Sequence, residues 1–207
     1  MYRLLACAGT GSAIAEALLE LAGLPYEVEP VDPWSSEADA KRLAAFNPLV
    51  QLPTLLMPDG SVMSESAAIT LHIADRAPDA GLAPPPGAPV RAAFLRWLAF
   101  LVASLYPTFT FGDDPSRWVS DDAAQTELRE RTDRHRERLW GMVEAIPPAA
   151  PWFLGASLTA LDIYVAVMTH WRPRRAWFAQ HCPRLHAIAV ALDGEPRLRG
   201  VWARNFP

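Results

Sequence analysis

Ser64, Glu65 and Ser66 put two hydroxyls and a carboxylate at the start of a helix, where the first backbone N–H groups have no intrahelical partner. Such an end suits an anionic group, while the carboxylate suits a cationic one. Just upstream, Leu52-Pro53 leads into the apolar run Thr54 to Met57, the turn Pro58-Asp59-Gly60 and a second short run, Ser61 to Met63. The pattern predicts a tight hairpin, with Pro53 where a missing N–H is tolerated. X-Pro is the one peptide whose cis form costs only about 0.5–1 kcal/mol, so Leu52-Pro53 is expected to be cis, with the Leu52 backbone turned toward a ligand. Taken singly, Ser64 and Ser66 read as helix caps and Glu65 as a partner of the helix dipole. Directly after the hairpin, they read as a binding site.

Other reactive types are placed less tellingly. Cys7 and Cys182 are far apart and in neither metal nor redox spacing, which reads as two free thiols in a reducing cytoplasm. Thr159 and Asp162 have capping-box spacing before the apolar run Ile163 to Met168. His170-Trp171-Arg172-Pro173-Arg174-Arg175 is a local basic cluster, read as a solvated turn. The net charge of −4 gives no footprint for nucleic acid or an anionic membrane. No apolar run approaches the roughly 18–20 residues of a membrane span, and the N-terminus does not read as a secretory signal.

The elements that must position these residues follow from periodicity. Arg3 to Cys7 predicts a buried strand, and Gly9-Thr10-Gly11-Ser12 a turn. From Ala13, Ile14, Ala17, Leu18 and Leu21 fall on one helical face that Gly23 and Pro25 terminate. Tyr26 to Val31 alternates as a strand, Glu37 to Phe46 reads as a short helix, and the hairpin and its helix complete a β-α-β-α-β-β-α order. Ala77 to Pro89, with five prolines and two glycines, reads as a linker without regular structure. Beyond it, Val90 to Leu105 predicts an apolar helix broken at Pro107, Asp121 to Ile146 a long amphipathic one, and Pro147 to Gly155 a loop. Pro183 to Leu192 reads as the last helix, followed by a tail.

Asn47-Pro48, Leu52-Pro53, Asp59-Gly60 and Glu65-Ser66, in this order and register, resemble the glutathione-binding half of the glutathione transferase family. The Thr159-x-x-Asp162 box resembles that of the buried helix in the family's second domain. The resemblance implies an α/β thioredoxin-like N-terminal domain over 1–78, a linker over 79–87, and an all-α C-terminal helical domain over 88–207. It implies a homodimer, with glutathione as co-substrate and no nucleic-acid or membrane partner.

The resemblance also assigns roles. Leu52, exposed beside Pro53, would pair with the cysteinyl backbone of glutathione. Ser66 and its helix amides would hold the γ-glutamyl carboxylate, Glu65 would face the ammonium, and Gln51 would add a polar contact. The family's serine and cysteine positions at the thiol fall on Gly9 and Gly11. Thr10 comes first and Ser12 second as the hydroxyl that favours a thiolate, with glycine-flanked backbone N–H groups as a third donor. Helix capping remains the plain alternative for both hydroxyls. Tyr106, Phe109, Arg117 and Trp118 would shape the electrophile pocket, or Arg117 would pair with Asp113 or Asp114 in a rigid loop. The implied function is transfer of glutathione thiolate to a small electrophile. A non-catalytic binding or regulatory protein of the same fold is the alternative.

Overall fold

Both faces of the first strand carry buried apolar residues, and of its five residues Arg3 alone is exposed. In β1 (Tyr2–Ala6), Tyr2, Leu4 and Ala6 enter the main core, while Leu5 joins Val31, Leu43 and Leu56 in a smaller cluster. The computed structural model describes residues 1–146 and 151–207 of the chain. After α1 (Ser12–Ala22) the chain returns in β2 (Tyr26–Pro30), parallel to β1, then forms α2 (Glu37–Ala44). The hairpin β3 (Thr54–Leu56) and β4 (Val62–Met63) adds to the other side of β1, and α3 (Ser66–Arg76) follows. The sheet order is β2-β1-β3-β4. This is the thioredoxin-like arrangement expected from the element order.

The proline-rich segment is more ordered than its composition suggests. Pro78–Ala80 forms a 3₁₀ turn, Leu82 is buried, and the Leu82 carbonyl accepts the Ala160 N–H at 2.8 Å. The joint is thereby stapled to the helical half.

Pro107 does not break its helix. Residues Arg91–Asp113 run on through α4 (Arg91–Phe100), a π-helical turn at Leu101–Leu105, and α5 (Tyr106–Asp113). The Tyr106 N–H reaches back to the Leu101 carbonyl, so the wider turn accommodates the ring of Pro107 at the start of α5, where a missing N–H does least harm. By length and composition this helix could cross a membrane. Phe94, Leu98, Leu101, Leu105 and Phe109 pack into the core, while Leu95 and Phe111 of the same helix are exposed.

The long helix α6 (Asp122–Glu144) follows, capped by the Asp121 side chain on the Ala124 N–H. Residues 147–150, the start of the expected Pro147–Gly155 loop, lie outside the described residues. Next comes α7 (Ala160–Met168), every residue of which is buried. Asp162 accepts from the Thr159 N–H at 2.8 Å, the Thr159 hydroxyl at 3.1 Å and the Phe153 N–H at 2.7 Å. Burial pushes its carboxyl up, and those three donors oppose the rise.

Three further helices complete the chain: α8 (Arg175–His181), α9 (Pro183–Asp193) and α10 (Arg199–Asn205). Neither α8 nor α10 was legible in the pattern. Each is a short segment stabilised by what it docks on rather than by its own period.

Candidate active site

The loop before β3 is shaped by Asn47, which is buried although polar. Its side-chain amide donates to the Gln51 carbonyl at 3.0 Å and to the Thr54 hydroxyl oxygen at 3.1 Å, and its oxygen accepts the Leu49 N–H at 3.1 Å. The Thr54 hydroxyl in turn donates to the Gln51 carbonyl at 2.9 Å. The Leu52–Pro53 peptide, which these bonds bracket, is cis. Across the hairpin, Glu65 has φ +65°, in the region an L-residue seldom adopts, and α3 begins at the next residue, Ser66. The amide end of α3 receives no side-chain cap from its N-cap residue, Glu65. It faces the same opening as Gln51, Leu52 and Pro53.

That opening is a cleft of about 500 Å³. Its floor is the loop Gly9-Thr10-Gly11. Gly9 has φ +76°, which a glycine takes without steric cost. Its carbonyl accepts the Trp171 indole N–H at 2.7 Å and its N–H donates to the Asn205 side-chain oxygen at 3.3 Å. Asn205 is itself held, donating to Glu16 at 2.8 Å, and the neighbouring Arg204 pairs with the same carboxylate.

Thr10 borders the cleft, but Ser12 does not. Ser12 is fully buried, with its hydroxyl 2.9 Å from the Cys7 carbonyl and 2.8 Å from the Thr10 hydroxyl. It closes the turn and does not face a ligand, which removes it from the candidate thiol-activating groups. The Thr10 hydroxyl lies 2.8 Å from the Cys7 carbonyl as well. Between them the two hydroxyls have two protons for these contacts, so Thr10 has none aimed at the cleft in this arrangement. Cys7 stands just behind the loop, and burial followed by Asp32 and Asp39 pushes its thiol up. Cys182 is buried and pushed up to about 12, chiefly by desolvation. Both thiols are free and poorly disposed to ionise.

The opposite wall comes from the helical half. Tyr106 and Phe109 line it from α5, and Trp171 enters from the segment after α7. The Tyr106 ring meets Phe109, Tyr164 and Trp171 edge-on at 6.5, 6.5 and 5.5 Å. Phe109 is backed by the Arg136 guanidinium, 4.0 Å from its ring centre. Arg136 is buried, donates to the Thr108 carbonyl at 2.9 Å, and pairs with Asp133. Arg117 sits at the mouth. Neither acidic neighbour pairs with it: Asp113 binds Arg172, and Asp114 accepts from the Ser116 hydroxyl. Trp118, expected to shape the cleft, instead faces outward. Its ring packs on Phe111 at 4.7 Å and its indole N–H donates to the Thr110 carbonyl.

The structure thus brings together Thr10, Gln51, Leu52, Pro53, Glu65, Ser66, Tyr106, Phe109 and Arg117 around one space. It adds Trp171 and, behind the floor, Asn205. Trp171 belongs to the stretch read as a solvated basic turn. Its arginine neighbours give that stretch its basic character, and no local signal shows the indole reaching Gly9. Arg172 of the same stretch is engaged with Asp113 and Asp133, and Arg175 with Asp193.

The family model described as "Glutathione S-transferase, N-terminal domain" matches residues 12–76. The chain is 39% identical over 206 residues to the uncharacterized GST-like protein YncG of Escherichia coli (strain K12), covering 99% of this chain and 98% of that protein. It is 32% identical over 164 residues to glutathione S-transferase GST-4.5 of Xanthomonas campestris, covering 79% and 78%. A glutathione transferase homolog from Sulfitobacter, crystallised with bound glutathione, has the same fold, with a TM-score of 0.88 at 23% identity over 100% of this chain and 99% of that one.

Proposed function

The chain belongs to the glutathione S-transferase family, and on that premise we propose that its cleft binds glutathione and transfers the glutathione thiolate to a small electrophile. One observation carries the reading. The Leu52 backbone beside cis Pro53, the positive-φ Glu65 and the uncapped amide end of α3 open on the same cleft as the Gly9–Gly11 loop. An extended cysteinyl unit pairs with Leu52 as an added strand would. Ser66 and the first amides of α3 take the γ-glutamyl carboxylate, Glu65 takes the ammonium, and Gln51 adds a polar contact. The electrophile lies against Tyr106 and Phe109, with Arg117 at the mouth.

In the reaction the glutathione thiol gives its proton to solvent, and the thiolate sulfur forms a bond to an electrophilic carbon. Either a leaving group departs with its electron pair, or the carbon chain of an acceptor gains that proton equivalent from water. The protein's share is to align the sulfur and favour its ionised form. We propose further that the chain works as a cytoplasmic homodimer, which sedimentation of the purified protein tests.

The direct test is retention on immobilised glutathione together with conjugation of chlorodinitrobenzene. Retention with turnover is the expected result. Retention without turnover on several electrophile classes would support a binding or regulatory role for the same cleft. Absence of both overturns the reading.

A further inference from the structure

Among the described residues, the Tyr106 hydroxyl is buried and has no hydrogen-bond partner. Leaving such a donor unpaired is unfavourable, so a buried orphan in a native cleft asks for a ligand atom. Its place is informative. A Cβ built on Gly11 would lie 2.8 Å from this oxygen and 3.6 Å from the Leu52 carbonyl oxygen. Glycine at position 11 is therefore what leaves room for the tyrosine. The hydroxyl arrives from the helical half at the point where the sheet half offers no side chain of its own.

The ring is held there on three sides by Phe109, Tyr164 and Trp171. The π-helical turn ending at Leu105 sets where along the helix Tyr106 emerges. Burial, with Tyr164 nearby, holds the phenol well above its ordinary ionisation range, so it stays a donor at any physiological pH. The nearer hydroxyls are spent, Thr10 and Ser12 on each other and on the Cys7 carbonyl.

We propose that Tyr106, donating its O–H across Gly11, is the catalytic group that stabilises the thiolate of a glutathione paired with Leu52. The assignment rests on the glutathione reading above. The thiol proton leaves to solvent, and the Tyr106 proton stays on its oxygen, shared with the sulfur. A charge-assisted bond of this kind lowers the thiol pKa by about one unit or more.

The experiment titrates the thiolate absorbance of glutathione bound to wild-type protein and to Tyr106→Phe, and measures S-methylglutathione binding by calorimetry alongside. Tyr106→Phe is expected to raise the apparent pKa of the bound thiol by about one unit or more and to slow conjugation roughly 10-fold at pH 6.5. It should leave S-methylglutathione affinity within about twofold and the melting temperature no lower, since the hydroxyl has no protein partner to lose. Gly11→Ala, whose methyl collides with the hydroxyl, should give the same pKa rise with the phenol still present. An equal pKa in wild type and Tyr106→Phe, with S-methylglutathione bound by both, overturns the role of Tyr106 and leaves the binding reading intact. So does a fall in S-methylglutathione affinity as large as the fall in rate, which marks a merely structural part. Failure of the wild type to bind S-methylglutathione or glutathione overturns both.

Discussion

The two walls of the cleft are built by opposite means. The wall at Leu52–Pro53 and Ser66 works through backbone: a cis peptide, a residue at positive φ, and the free amides of a helix end. Its parts lie close together in the chain, and bonds such as those of Asn47 to Gln51 and Thr54 fix them over four and seven residues. The wall at Tyr106, Phe109 and Trp171 works through side chains from distant segments, and its links to the floor span the molecule. A wall made of local backbone can recognise a constant ligand whatever surrounds it. A wall made of side chains can be changed one residue at a time, which suits the variable electrophile of the proposed transfer.

The largest blow to the helical wall should come from its foundation. Asp162→Ala strands the Thr159 N–H, the Thr159 hydroxyl and the Phe153 N–H in the core. Urea unfolding is expected to show a loss of about 3 kcal/mol or more. A loss under about 1 kcal/mol would mean that the box is not what fixes α7.

Ser66→Ala attacks the other wall. It removes one hydrogen bond to a charged group, worth about 1.5–3 kcal/mol, so the glutathione Kd should rise about 10-fold or more. Unfolding stability should move little, because the substitution keeps the helix and its packing. An unchanged Kd would separate Ser66 from the glutathione site.

Acid should loosen the helical wall selectively. His170, next to Trp171, accepts from Arg175 at 2.8 Å and stacks on Phe206 at 3.8 Å. Burial, then the Arg175 charge, holds it at about 4, with Asp193 pulling the other way. The folded chain therefore keeps the ring neutral where the unfolded chain, near 6.5, takes up a proton. The stability involved is full above about pH 6.5 and is lost as pH falls toward 4, by roughly 1–2 kcal/mol after allowance for partial exposure. Comparing urea midpoints at pH 7 and pH 4.5, wild type should lose more than His170→Gln. Equal losses would clear His170 of any part in acid sensitivity.

Trp171→Phe is the mildest test, and it asks whether the walls are separable. It deletes the indole N–H on the Gly9 carbonyl while keeping a ring against Tyr106 and Phe109. Stability should fall by about 1 kcal/mol, with glutathione Kd changed by less than about threefold. A Kd rise matching that of Ser66→Ala would show that the Gly9 loop and the α3 end act as one unit.

The same contrast divides what each source of information decided. By itself the sequence determined the strand-and-turn wall, a helix start within Ser64-Glu65-Ser66, the capping box at Thr159 and Asp162, and the family they suggest. Each of those signals is a pattern of neighbouring residues that backbone physics turns into one geometry: turn residues between short apolar runs, and a cap three residues before a carboxylate. Only the tertiary structure decided that Ser12 is buried, that Trp118 faces out, and that Pro107 sits within a continuous helix after a π-helical turn. It alone brought Trp171 and Asn205 to Gly9, across 162 and 196 residues of chain. It alone put the Tyr106 hydroxyl where a Cβ at Gly11 would stand. The physical reason is that an absent side chain leaves a space whose occupant is chosen by packing between the two halves, and no local periodicity reports which distant residue packs there.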